Sequence, residues 1–159
     1  MKKKTKNITH VGVIAAAYTA LTCAFAFAAS GVIQVRVSEA LCILPYFTPY
    51  AIPGVTLGCL FSNIITGAMT FDVIFGTLAT LIGAIGSYLL RKWKWAVPIP
   101  PIVANTLIVP QVLKLVYGVP EAVPFLMLTV GIGEIISVGI LGMILLFALE
   151  KHRKKLFDN

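Results

Sequence analysis

Charge is what this sequence has least of. Only 12% of its 159 residues are Asp, Glu, Lys or Arg, against about 25% in an ordinary soluble domain. Between residues 11 and 90 the charged side chains are Arg36, Glu39 and Asp72 alone. With 58% hydrophobic residues and a mean hydropathy of +0.94, the chain has too little polar surface to cover a water-soluble core. Histidine is confined to the two ends, at His10 and His152. Cys23, Cys42 and Cys59 are odd in number and each lies in an apolar run, without a CxxC or a Cys/His pair at ligand spacing. That pattern gives no support to a disulfide frame or a metal site and reads as small buried hydrophobes. A GxxxxGK[ST] loop is missing too, as are HExxH and GxSxG, so ATP hydrolysis by a P-loop, zinc proteolysis and an elbow-type nucleophile are excluded. The chain reads as a non-enzyme without metal or cofactor.

What is present is a series of apolar runs long enough to cross a bilayer, which takes about 20 residues as a helix. The sequence predicts an all-α integral membrane protein, one domain over residues 1–159, with crossings at 8–29, 37–47, 52–69, 71–90, 96–117 and 122–149. The second is half the usual length before Pro45, Pro49 and Pro53, and proline breaks a helix by removing a donor and crowding the preceding turn. It is expected as a short or steeply tilted helix whose irregular backbone is buried in the bundle.

Net charge is +7, but its distribution argues against nucleic acid. Eleven of the thirteen Lys and Arg fall in three clusters, Lys2, Lys3, Lys4 and Lys6; Arg91, Lys92 and Lys94; and Lys151, Arg153, Lys154 and Lys155. Each abuts an apolar run, the positive-inside pattern of cytoplasmic flanks. Six crossings put all three clusters on one side, so both termini are expected in the cytoplasm of a multi-pass cell-membrane protein. Treating the second segment as a loop would put Arg91 outside. The first apolar run, residues 11–29, exceeds the usual h-region of about 7–15 and is expected to be retained.

Two patterns carry chemistry. Gly12, Ala16, Ala20, Ala24 and Ala28 repeat every fourth residue, which puts small side chains on one helix face. In lipid such a face admits close approach of another helix, within the bundle or from a partner. The second pattern is polar residues at membrane depth, which are costly and face a cavity, a partner or a pathway. Glu134 and Asn105 fall at matching depth on consecutive antiparallel helices, roughly 18 Å from the outer edge at about 1.5 Å per residue. Gly131 and Gly133 beside Glu134 permit close backbone approach. Asp72 either caps its helix or faces ligand; Arg36 and Glu39, three residues apart, either pair with each other or line the site.

The run GVIQVRVSEALCILPYFTPYAIPGVTLGCLFSN, with FDVIFGTLATLIGA and PPIVANTLIVPQVL, resembles the QueT family of queuosine-precursor transporters, substrate-binding S-components of energy-coupling factor (ECF) transporters. The resemblance spans essentially the whole chain. It implies uptake of a 7-deazaguanine base such as 7-aminomethyl-7-deazaguanine, a membrane coupling protein and two cytoplasmic ATPases as partners, and docking through Ala16, Ala20 and Ala24. Chemistry then suggests Glu134 for the guanine edge, Asp72 or Glu39 for the ammonium, and Asn105 and Gln34 for ring heteroatoms. Phe71, Tyr46 and Phe75 are stacking candidates, and Arg36 would position Glu39 or gate the outer loop. The alternatives are an S-component for a thiamine- or riboflavin-type cargo and a non-transporting membrane scaffold.

Overall fold

A computed structural model of the chain describes residues 2–29 and 33–153. The side chains of Lys2, Lys3, Lys4, Lys6, Ala28, Lys154 and Lys155 lie outside the described residues. Every regular element among the described residues is helical: α1 (Lys2–Ala24), a 3-10 helix (Val37–Tyr46), α2 (Ala51–Ile65), α3 (Thr70–Leu89), α4 (Ile99–Leu115), a last rod made of α5 (Val123–Glu134), a π segment (Ile135–Gly142) and α6 (Met143–Glu150), and two short 3-10 turns at Ala26–Ala29 and Lys94–Ala96. Asn7–Ala24, Thr70–Leu89, Lys94–Leu115 and Val123–Glu150 are each long and apolar enough to span a bilayer, and the two remaining helices are shorter.

Side-chain contacts order the ends of these helices. Asn7 donates to the Tyr50 hydroxyl at 2.6 Å, Tyr46 to Glu150 at 3.2 Å and Lys94 to Glu150 at 2.7 Å, so all of these lie at one end of the bundle. Tyr117 meets Asp72 at the opposite end. The chain therefore crosses six times, alternating in direction. Sequence neighbours are also spatial neighbours, α1 on α2, α2 on α3, α3 on α4 and α4 on α5.

The 3-10 helix occupies the centre, against α1, α2, α3, α6 and the π segment. Its residues 38–45 are all buried. A 3-10 helix rises about 2.0 Å per residue against about 1.5 Å for an α-helix, so ten residues reach roughly 20 Å. That lengthens the short second segment without reaching the roughly 30 Å of a bilayer core, so the non-helical residues 34–36 ahead of it complete the passage between the two ends, and the helix continues past Pro45 to Tyr46 where the sequence suggests a break. Only one donor is lost at Pro45, and the Leu44 carbonyl accepts from Phe47 at 2.9 Å and Thr48 at 3.2 Å.

Glycines set the closest crossings. A Cβ on Gly54 would stand 2.8 Å from Ile14, and one on Gly142 3.0 Å from Ile43 of the 3-10 helix. The rest of the surface is inverted relative to a soluble protein. Phe61, Ile64, Ile74, Leu78, Ile82, Leu107 and Leu128 point outward, while Ser38, Ser62, Thr80, Ser87, Asn105 and Ser137 are buried. That inversion suits a lipid solvent, in which polar groups must find partners internally.

The first helix is shorter than the sequence suggests, ending at Ala24 with a 3-10 turn at Ala26–Ala29. It packs on α2 through Ile14, Ala15 and Tyr18, all buried. Gly12, Ala16, Ala20 and Ala24 face away from the bundle and are exposed.

Candidate functional site

At the Asp72 end a cavity of about 260 Å³ opens between α1, the start of the 3-10 helix, α2 and α3. Leu21, Thr22 and Phe25 form one wall, Arg36 and Ser38 a second, and Asn63, Thr66 and Asp72 the remainder. Thr22 donates to the Ser38 hydroxyl at 2.8 Å, tying α1 to the 3-10 helix at the cavity edge. Asp72 sits in the first turn of α3 without capping that helix; its Oδ2 accepts from the Tyr117 hydroxyl at 3.0 Å. The same hydroxyl accepts from the Met69 amide at 3.2 Å, so the α3 and α4 ends brace the carboxylate.

Arg36 is the hub of a wider cluster. Glu39 and Asp72 lie within its electrostatic reach, and Glu134 lies within reach of both Arg36 and Glu39. Among the described residues no ion pair within 4 Å joins Arg36 to any of the three. The pairing of Arg36 with Glu39 considered from their spacing is therefore not formed. Both oxygens of Glu39 are engaged elsewhere: Oε1 accepts from the Tyr18 hydroxyl, and Oε2 from the Cys42 thiol at 3.0 Å. In a 3-10 helix residues three apart eclipse, which sets Cys42 beneath Glu39.

Glu134 and Asn105 do come together, with Asn105 the polar neighbour of Glu134. Glu134 Oε2 and Asn105 Nδ2 are nevertheless buried without a partner at hydrogen-bond geometry. A buried polar atom left unpaired costs about 1–3 kcal/mol. Glu134 ends α5, and the π segment begins at the next residue; such widened turns recur at functional sites. Ser137 within it accepts from the Arg36 amide at 3.1 Å, and a Cβ on Gly133 would overlap the Gln34 carbonyl. These two contacts seat residues 34–36 on the last rod.

The aromatic candidates lie elsewhere. Phe71 and Phe75 stack on each other with centroids 6.5 Å apart and line a larger apolar recess of about 550 Å³ with Leu107, Gln111 and Val112. That recess faces sideways between α3 and α4 and carries no charged group. Tyr46 is at the far end, edge-on to Phe47 at 4.8 Å. Phe25 supplies the aromatic wall of the polar cavity instead. Sequence reasoning also missed Asn63, whose signal was a lone amide in an apolar run, and Tyr18, whose role needs the α1 to 3-10 crossing.

Apolar outside, polar inside, with a cavity carrying polar groups at one end, the bundle is a helical membrane protein. The profile of the QueT transporter family matches residues 8–151, and the chain belongs to that family. A similar protein is the queuosine precursor transporter QueT of Lactococcus lactis subsp. cremoris (strain MG1363), 38% identical over 96 residues. That match covers 58% of this chain and 56% of the relative, so the chain aligns with a little over half of the relative's length. No solved structure matches.

Proposed function

We propose that this protein is the substrate-binding membrane subunit, or S-component, of an ECF-type transporter that takes up a queuosine precursor such as 7-aminomethyl-7-deazaguanine. The observation that carries the reading is the buried, unpartnered pair of Glu134 Oε2 and Asn105 Nδ2, with Glu134 in electrostatic reach of Arg36, which lines the cavity. A guanine-type base presents two parallel N–H donors, which a carboxylate accepts in bidentate fashion, and ring acceptors that suit an amide. Glu134 takes the donor edge and Asn105 a ring heteroatom, with Phe25 and Leu21 against the flat face. Glu39 supports from behind, since its oxygens are occupied.

The cavity faces the outside of the cell and both termini the cytoplasm, in keeping with the basic clusters. A membrane coupling protein and two cytoplasmic ATPases supply the work, with the exposed face of Ala16, Ala20 and Ala24 as the docking surface. Small molecules that co-purify with the protein test this reading by mass spectrometry. A bound 7-deazaguanine is expected; thiamine, a flavin, or no ligand accompanied by no thermal shift on adding the base would overturn it.

A further inference from the structure

The sideways recess between α3 and α4 shares no lining residue with the polar cavity. Its volume of about 550 Å³ falls within the range of about 300–1,000 Å³ typical of small-molecule sites. The parallel rings of Phe71 and Phe75 form its α3 wall, and Leu107, Gln111 and Leu115, each one turn beyond the last, run along its α4 side. Phe71, Phe75, Leu107 and Leu115 are all exposed, so the recess opens to the bilayer rather than into the bundle. From Leu107 to Leu115 it extends about 12 Å at about 1.5 Å per residue, which keeps it within one half of a hydrocarbon core about 30 Å thick.

Polarity rises along that side toward the Asp72 end. Leu107 is followed by Gln111, which is exposed and whose side-chain amide makes no hydrogen bond among the described residues. Three residues further on, on the same helix face, Lys114 lies in the last turn of α4. Its Nζ donates to the Val119 and Pro120 carbonyls at 3.1 and 3.2 Å, which holds the ammonium beyond the recess and leaves one of its three donors over. No carboxylate pairs with it among the described residues. An amide turned toward lipid tails must find its partner outside the chain, because hydrocarbon offers none. A phospholipid supplies its groups in the order in which α4 presents their complements: an acyl tail for the recess, an ester carbonyl for the Gln111 amide and a phosphate for Lys114. A two-fold contact with a second copy would instead set Lys114 against Lys114, like charge on like. We infer that the recess is a binding site for one phospholipid, with an acyl chain between α3 and α4, the glycerol ester on Gln111 and the phosphate on Lys114.

Native mass spectrometry of the full chain, released from detergent micelles and titrated with dioleoyl phosphatidylglycerol, counts bound lipid and protein copies together. Wild type is expected to hold one phosphatidylglycerol. Dioleoylglycerol, which has the same tails and esters without the phosphate, should bind at least about tenfold more weakly, the loss of one charge-assisted hydrogen bond. K114M should bring phosphatidylglycerol down to the level of dioleoylglycerol. Q111L should weaken both lipids by about threefold or more, and L107W, whose side chain fills the foot of the recess, should weaken both further. Gln111 and Leu107 are exposed, so Q111L and L107W should melt as wild type does; if K114M loses its melting transition, those two decide. Equal binding of the two lipids by wild type, unchanged binding of phosphatidylglycerol in Q111L and L107W, or a protein dimer in place of the lipid adduct overturns the site.

Discussion

The carboxyl groups of this bundle differ in how completely the protein satisfies them, and that difference assigns their work. Glu39 accepts from Tyr18 and Cys42 and is a structural anchor of the 3-10 helix. Glu134, 4% exposed, keeps one oxygen without a partner, a cost the empty protein carries. Replacing it with glutamine keeps the shape, takes the acidic group out of a dry site and supplies a donor. E134Q is therefore expected to raise the melting temperature of the empty protein, by up to about 1–3 kcal/mol of stability. The same variant should bind the deazaguanine at least about tenfold more weakly. Thermal melts with and without ligand check both signs, and a variant that melts lower while binding normally would return Glu134 to a structural role. Glu134 with Asn105 was legible in the sequence because depth along two helices can be counted. The engagement of Glu39 was not, since a 3.6-residue period does not place Cys42 directly beneath it.

The 3-10 helix is where element geometry determines the architecture. Its ten residues, Val37–Tyr46, are too few to span as an α-helix, and charge parity alone required them to cross. That crossing was readable from the sequence; the means was not, because nothing local favours i to i+3 bonding over so long a run. Tertiary packing imposes it. Residues 38–45 are buried on every side, with Gly142 of the π segment pressed against Ile43 and the Ala40 carbonyl, which a Cβ would meet at 3.0 and 3.4 Å. A leucine at 142 cannot be accommodated there without moving the 3-10 helix, a displacement that overpacked sites meet at about 1–3 kcal/mol. G142L should lower the melting temperature and, because Arg36 and Glu39 ride on that helix, weaken ligand binding as well. Leucine at Gly12, which has nothing within 4 Å of its Cβ position, serves as the control and should leave both quantities unchanged.

At the scale of the molecule, α1 has two contrasting faces. Its inner face supplies Leu21, Thr22 and Phe25 to the cavity and ties Tyr18 to Glu39 and Thr22 to Ser38. Its outer face presents Gly12, Ala16, Ala20 and Ala24, all exposed among the described residues. The repeat of four was visible in the sequence, but its direction was not, because the packing face of α1 is set by Gly54 and Gly58 on α2, which accept Ile14 and Tyr18 at close range. Lipid alone does not require a stripe of small residues, since larger apolar side chains cover a lipid-facing surface equally well. A helix that must approach closely does require one. If the stripe receives the coupling subunit, a tryptophan at Ala20 leaves the cavity wall untouched and blocks that approach. The purified A20W protein should bind deazaguanine within about twofold of wild type, while uptake by cells carrying the assembled transporter falls at least about tenfold. Pull-down of the coupling subunit should fall in step with uptake. Undiminished uptake would mean that α1 docks through another surface, and loss of binding in the isolated protein would mean that the outer face acts on the cavity through the bundle itself.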